Sequence, residues 1–367
     1  MNACRACGGT ALRRVLDVGA VPAADHFPPA DQPMGRGDDT HPLAMDLCQE
    51  CGLAQLADDD TVTEEPRGVE PQALRDQAED AVRRVEAAGW LRGATVREFG
   101  SPHGGTWLPL LAERGFAPAG ETAEVVLDCF GIMHEPDQRD AFARRAAATA
   151  PGGVLLLQYH SLSAIVRQGQ WNALRHGHFA YYSLPALTRL LDDAGMRVVA
   201  CWQFDLYGGT VLLAAVHRDD ERANVPDAIV SATRVADSAL ADPATVGTLQ
   251  AAADAHVLAL RSWLADQQRS ELRVYGYGAA SRAVAAFAMA GLNRTLIAGV
   301  ADASAAKQGR RMPGTDVPII SPEELVAADP DLVLLTLPDL LSEVSNRYPE
   351  LAGRWVTDDD RIATRSE

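Results

Sequence analysis

Thr95-Val96-Arg97-Glu98-Phe99-Gly100-Ser101-Pro102-His103-Gly104 reads as a short strand that runs straight into a glycine-rich turn. Outward from this stretch the chain alternates. A helix is expected at about 107–114, a strand at 125–129, a helix at 139–150 and a strand at 153–158. A helix at 185–195 follows, then strands at 197–204 and 210–216, the second of them after Gly208-Gly209. Upstream, Ala73, Leu74, Ala78, Ala81, Val82 and Val85 recur at helical spacing and predict a helix over about 71–90. An alanine-rich helical stretch covers 226–268. A second alternating unit starts with a strand at 272–275 and continues through strands at 296–301 and 331–337 to a final helix. This pattern predicts an α/β protein with a parallel sheet in each of two units.

The chain has 367 residues, 47% of them hydrophobic and 23% charged, as in a folded protein of two or three domains. The net charge of -17 argues against nucleic acid as a partner, because phosphates must meet a basic face. A small anionic ligand is compatible with it where a few cations gather. No apolar run approaches the roughly 20 residues that span a bilayer. The opening Met1-Asn2-Ala3-Cys4-Arg5 has no apolar signal region, so a cytoplasmic location is expected.

Four of the six cysteines fall in two pairs, Cys4-Arg5-Ala6-Cys7 and Cys48-Gln49-Glu50-Cys51, each followed by a glycine (Gly8, Gly52). Each pair can turn both thiolates toward one metal, and two pairs complete a tetrahedral zinc site. A redox pair or unpaired core thiols are the competing readings. Four thiolates close the coordination shell, so this zinc is expected to be structural. Cys129 and Cys201 lie in apolar runs and read as buried fillers.

The order of the cysteine pairs, the glycine turn, His176-Gly177-His178-Phe179-Ala180-Tyr181-Tyr182-Ser183 and Lys307-Gln308-Gly309-Arg310-Arg311-Met312-Pro313-Gly314 resembles the three-domain sugar C-methyltransferases of deoxysugar pathways. The resemblance implies a zinc-binding domain at 1–65, a class I methyltransferase-like Rossmann domain at 66–225, a helical connector at 226–268 and a Rossmann-like substrate domain at 269–367. It also implies S-adenosylmethionine (SAM) as methyl donor and a nucleotide-linked 4-keto sugar as substrate. Such enzymes deprotonate the carbon beside the ketone and methylate the enolate.

The sequence departs from that pattern on the donor side. The family's strand-turn resembles Glu-x-Gly-Ser-Asn-Asp-Gly, whereas Pro102 and His103 stand here where a backbone donor and a carboxylate are expected. Between Gly115-Phe116 and Val125, too few residues remain for the second strand with its ribose-binding acid, the third strand and a helix. The aromatic-rich segment before the central helix is replaced by Thr61-Val62-Thr63-Glu64-Glu65-Pro66-Arg67-Gly68. A truncated donor lobe is therefore expected, with Glu98, Gly100 and Ser101 as vestiges of the cofactor site and SAM not bound.

The substrate side reads as altered but present, with Arg175 and Gly177 standing where the family has tyrosine and glutamate. His176 and His178 are candidate acid/base groups, since neutral imidazole titrates near cellular pH. Arg175 is the candidate anion stabiliser, Tyr182 a candidate proton donor, and His160 a second base at the end of the 153–158 strand. Tyr207, Gly208 and Gly209 are expected substrate contacts by the resemblance. His134 and His103 are read either as lining the vacated cleft or as packing residues. Gly276-Tyr277-Gly278-Ala279-Ala280-Ser281 is an incomplete dinucleotide fingerprint, with Asp302 at the ribose-acceptor position. Gly278, Arg282, Lys307 and Arg310 are expected to meet substrate phosphates, the three cations reading equally well as solvated charge. The resulting expectation is a SAM-independent biosynthetic enzyme using histidine acid/base chemistry on a carbonyl compound, by isomerisation, epimerisation, elimination or rearrangement. The competing readings are a SAM-dependent C-methyltransferase of a nucleotide-linked keto sugar, or a non-catalytic partner of a pathway enzyme.

Overall fold

The computed structural model describes residues 3–35, 38–59, 61, 70–102, 104–225 and 227–357. The chain opens with β1 (Leu12–Pro22), β2 (Thr40–Cys48) and β3 (Ala54–Leu56). The central unit runs α1 (Gln72–Ala87), β4 (Thr95–Phe99), α2 (Leu108–Ala112), β5 (Ala117–Pro118), β6 (Ala123–Cys129), α3 (Gln138–Ala148) and β7 (Thr149–His160). It continues with α4 (Leu162–Arg167), β8 (Ala180–Tyr181), α5 (Leu184–Asp193), β9 (Met196–Phe204) and β10 (Thr210–His217). Helices α6 (Ala228–Ala236) and α7 (Pro243–Arg269) lead to β11 (Val274–Tyr277), α8 (Ser281–Met289), β12 (Val300–Ala301) and β13 (Ile319–Ile320). The last elements are α9 (Pro322–Ala328), β14 (Leu332–Leu335), α10 (Leu341–Arg347) and β15 (Trp355–Thr357).

The central sheet has the order β5-β4-β6-β7-β10-β9. Strands β5, β4, β6 and β7 are parallel, but β10 is antiparallel to both neighbours. The expected wholly parallel sheet is corrected by chain geometry: the few residues between β9 and β10 permit a hairpin, not a crossover. The expected loss of the second strand is also corrected. It survives as the two-residue β5, pairing Thr95 with Ala117 and Val96 with Pro118. From β5 the chain turns directly into β6, and no third strand lies outside β5 among the described residues.

The first sheet, β1-β2-β3-β8, recruits its last strand from the central unit. The C-terminal sheet, β13-β12-β11-β14-β15, is parallel throughout. Rather than only connecting two units, α7 shares a core with its neighbours. Val246, Leu249 and Ala253 of α7 pack in one apolar cluster with Val15, Leu16 and Val18 of β1 and Val284 and Phe287 of α8. Beside this core the buried Arg311 guanidinium donates to both carboxylate oxygens of Asp38, at 2.6 and 2.8 Å. The first and third units are thereby clamped together.

A second buried pair organises the end of β6. Asp128 Oδ1 accepts from the amides of Gly131 and Ile132 at 2.8 and 3.0 Å, while Oδ2 accepts from Arg145 of α3 at 2.8 Å. The Arg145 guanidinium lies 4.2 Å over the Phe99 ring, so it joins the ends of β4 and β6. Burial raises the Asp128 pKa despite this partner. Removing the cation would strand a buried carboxylate. Arg145→Ala is therefore expected to destabilise the protein by about 3–5 kcal/mol in urea denaturation.

Candidate functional site

A cleft of about 270 Å³ opens between the central and C-terminal units. It lies at the C-terminal ends of the parallel strands, where ligands of α/β sheets bind. Phe99 ends β4 with Gly100 and Ser101 after it, Cys129 ends β6 with Phe130 after it, and Gln158 and His160 end β7. Arg175 and His178 enter from the segment before β8, and Tyr207 from the β9–β10 hairpin. Gly278, Arg282, Asp302 and Lys307 close the opposite side.

Two aromatic residues face each other here under backbone strain. Phe130 and Tyr207 hold φ of 63° and 56°, a region unfavourable for non-glycine residues, with ring centroids 6.0 Å apart. The Tyr207 amide donates to Asp339 Oδ1 at 3.0 Å, which fixes the hairpin against the C-terminal unit. Gly208 and Gly209 do not line the cleft. They form the turn that aims Tyr207, and a Cβ on Gly209 would meet Ala164 Cβ at 2.6 Å.

The two histidines of the Arg175–His178 segment separate. His178 lines the cleft, and its Nε2 accepts from Arg175 Nε at 2.8 Å. His176 is buried elsewhere, with Nε2 3.1 Å from the Pro42 carbonyl and its ring against His41. The acid/base role expected for His176 therefore has no geometric basis. Nor does the one expected for Tyr182, which sits in the core against Tyr159 and Phe142 with its hydroxyl on Gln138 Oε1. His134 stacks edge-on behind His178 at 4.4 Å, with Nδ1 3.0 Å from the Gly177 carbonyl. His103 lies outside the described residues.

His160 has the more distinctive environment. Burial and then the guanidinium of Arg282 hold its pKa down to about 3, with Arg175 adding to the effect. The side chain of Gln170 and the backbone of Tyr207 oppose it weakly. His134 is lowered to about 4, by burial first and Arg175 second. Both rings are thus neutral in the native protein at physiological pH. Cys129, expected as a filler, lines the cleft with its thiol pushed well up by burial.

On the C-terminal side, Asp302 Oδ2 accepts from the Ala279 amide and Oδ1 from the Ser304 amide, both at 2.8 Å. It braces the turn after β11, so the expected ribose acceptor is already engaged. Lys307 lines the cleft but donates Nζ to the Ala279 carbonyl at 2.8 Å and lies 4.9 Å over Phe27. Arg310 is away from the cleft, with Nη1 on the Phe27 carbonyl at 2.6 Å. Arg282 does line the cleft, donating to Asn172 Oδ1 at 3.3 Å. Glu98 is likewise occupied: it accepts from the Trp107 amide at 2.8 Å and from Thr106 Oγ1, pinning the glycine turn closed.

At the far end of the first sheet, the sulfurs of Cys4, Cys7, Cys48 and Cys51 all lie within 4.8 Å of one another. The Cys4–Cys51 and Cys7–Cys48 separations are 3.5 and 3.7 Å. Sulfurs about 2.3 Å from a tetrahedral zinc stand at close to this spacing. Gly8 and Gly52, with φ of 75° and 78°, supply the left-handed turns that bring each pair together. The cluster could hold a structural zinc ion, and its all-sulfur donor set has no place for substrate.

These features define a class I methyltransferase-like protein flanked by a cysteine-rich unit and a second α/β unit. Residues 4–64 match a zinc binding domain family, 117–200 a methyltransferase domain and 205–357 the C-methyltransferase C-terminal domain. The chain is 25% identical to C-methyltransferase NovU of Streptomyces niveus over 411 aligned positions, covering 97% of this chain and 95% of that one. In this order the three matched domains give the chain the organisation of a three-domain C-methyltransferase. Among solved structures it is similar to magnesium protoporphyrin IX methyltransferase (ChlM) of Synechocystis, at 14% identity over 40% of this chain and 84% of that one, TM-score 0.30. N-methyltransferase NodS of Bradyrhizobium japonicum is 12% identical over 41% and 100%, TM-score 0.28.

The near full-length similarity to a C-methyltransferase overturns the expectation of a SAM-independent isomerase. That expectation rested on missing sequence between the first helix and the fourth strand. The aligned length does exceed this chain's own, so the relative carries residues that have no counterpart here. Yet the turn after β4 still lines the cleft, and β5 is retained. None of the described helices is long and apolar enough to cross a membrane.

Two measurements follow from this geometry. Cys4→Ser should reduce metal content from about one zinc per chain toward none, as read by metal analysis of the purified protein. His134 and His160 are held below their ordinary value of 6.5, so the unfolded chain binds more protons as pH falls through that value. Their contribution to stability is intact above about pH 6.5 and lost toward pH 4 and below. In His134→Gln/His160→Gln protein, the fall in denaturation midpoint over this window should be shallower.

Proposed function

We propose that the protein is a SAM-dependent C-methyltransferase acting in the cytoplasm on a small, nucleotide-linked keto substrate of secondary metabolism. The observation that carries this reading is the single cleft shared by the glycine turn after β4, the Arg175–His178 pair, His160 and the first turn of the C-terminal unit. Similarity along 97% of the chain to a C-methyltransferase supports it.

The donor, when bound, supplies an electrophilic methyl group. Gly100, Ser101 and the Gly104-Gly105 turn would hold it, both of these last glycines having φ near 80°. The buried Gln158 fits a polar ligand there: it lines the cleft, and its Oε1 has no hydrogen-bond partner among the described residues. No third strand lies beyond β5 among the described residues, so this chain offers less surface to an adenosine than a complete sheet would.

Carbon methylation needs an enolate, and this chain's residues supply the means to make one. Arg175 is a permanent cation on the cleft wall and suits the developing enolate oxygen. His178 holds the Arg175 guanidinium through its Nε2, which makes it a positioning residue. His160 is the neutral imidazole at the end of β7 and the candidate base for the proton beside the carbonyl. Burial first, then Arg282 and Arg175, depress its basicity, and an anionic substrate group beside those cations would relieve their share of it. The base would thus strengthen as substrate binds. Arg282 at the opposite wall is the candidate cation for the nucleotide phosphates.

The test is transfer of labelled methyl from SAM to a nucleotide-linked 4-keto sugar, followed by mass spectrometry. A product heavier by one methylene is expected, and turnover without label would reject the reading. His160→Ala should lower kcat by about 10²–10⁴-fold, whereas His176→Ala should leave kcat near the wild-type value.

A further inference from the structure

We propose that Glu70 is the carboxylate that receives the ammonium group of the methyl donor's amino-acid end. This rests on the methyltransferase reading above and adds a residue to it. In a donor site of this type the acids at the ends of the first two strands are the obvious candidates, and neither serves here. Glu98, at the end of β4, is committed to Thr106 and the Trp107 amide. Beyond β5, Glu121 is exposed and does not line the cleft.

Glu70 comes from a different place, the approach to α1, and lines the cleft beside the glycine turn. Its carboxylate rests directly on Gly105, where a Cβ would come within 2.5 Å of Oε1. Gly105 also has φ of +81°, so the turn requires glycine there. The Glu70 side chain makes no hydrogen bond among the described residues. Its nearest cation is Arg75 Nε at 3.7 Å, an ion pair on the half-exposed flank of α1. It is a carboxylate at a ligand cleft with acceptor capacity to spare.

Position selects which end of the donor it meets. The ribose-binding acid of a complete sheet emerges beyond β4 on the β5 side. Glu70 instead lines one cleft with Cys129 of β6, Gln158 of β7 and Tyr207 of the β9–β10 hairpin, and neither residue of β5 lines it. Gln77 of α1 accepts from Gln158 Nε2 at 2.6 Å. Glu70 and Gln158, whose Oε1 has no hydrogen-bond partner among the described residues, line the same cleft as His160. An ammonium offers several donors and a positive charge, matching a carboxylate and an amide oxygen together.

Calorimetric titration of the full-length protein tests this with two ligands: S-adenosylhomocysteine, which carries the amino-acid end, and 5′-methylthioadenosine, which lacks it. Glu70→Gln should weaken S-adenosylhomocysteine about tenfold or more and leave methylthioadenosine within twofold of wild type. Glu121→Gln should change neither, and an unchanged Tm for Glu70→Gln shows that the fold is intact. Equal weakening of both ligands would assign Glu70 to the ribose and overturn the proposal, as would no change in either. Wild-type protein that binds methylthioadenosine as tightly as S-adenosylhomocysteine overturns it without touching the methyltransferase reading. Wild-type protein that binds neither ligand overturns both.

Discussion

Two backbone pairings, Ala54 with Tyr181 and Gln55 with Ala180, attach β8 to the first sheet and fix where the cleft's reactive segment lies. The segment from Trp171 to Ser183 is held near its C-terminal end by this attachment. The Phe179 carbonyl accepts from the Leu56 amide, and the Phe179 amide donates to the Met133 carbonyl at 2.7 Å. Asp59 Oδ2 takes the Gly177 amide at 2.7 Å. Arg5, inside the first cysteine knuckle, donates its amide to Gln55 Oε1 and lays its guanidinium over the Phe179 ring at 4.7 Å. The four-cysteine cluster, which could hold a zinc ion, is therefore a few contacts from Arg175 and His178. Its structural work extends to the position of those side chains, because the segment carrying them has little regular structure of its own.

A chain with net charge -17 nevertheless gathers guanidinium groups at its cleft. The cations at the cleft that act on His160 are Arg175 and Arg282, while Lys307 is absorbed into the turn after β11. Long-range steering of an anionic substrate would be unfavourable for so acidic a protein, so recognition must come from these near contacts. Burial first, then Arg282 and Arg175 at His160 and Arg175 at His134, keeps the histidines neutral, and the cationic part couples substrate charge to base strength in one small volume.

Much of the scaffold was legible in the sequence. The strand 95–99 has the expected bounds, and the cysteine pairs converge as their spacing and following glycines require. Elements of two or three residues, β8, β13 and β15, left no periodic signal, because they exist through tertiary pairing. The site was less legible for a definite reason. Residues at i and i+2 in an irregular segment need not share a face, and His176 and His178 point to opposite surroundings. Tyr182 looked like a proton donor only while its burial between Tyr159 and Phe142 was unknown. Glu70 had no motif at all, since it reaches the cleft from beyond the Rossmann strands. Arg310 and Asp302 read as ligand groups because charged side chains near a glycine turn serve to build that turn as readily as to bind at it.

The shortened edge of the central sheet explains why missing sequence was a poor guide to activity. A strand of two residues exposes little unpaired backbone, so the sheet can stop at β5 without an aggregation-prone edge. What is lost there is wall area on one flank of the cleft; the strand ends that carry the turn, Phe130, Gln158 and His160 lie on the other side of β4 and are held by the Asp128–Arg145 pair. On the proposed reading, donor affinity then depends less on enclosing the adenosine and more on polar contacts near the reacting carbon. Such contacts grip the part of the ligand whose placement decides the methyl trajectory, so a lean donor lobe is compatible with methyl transfer provided the amino-acid end is firmly held.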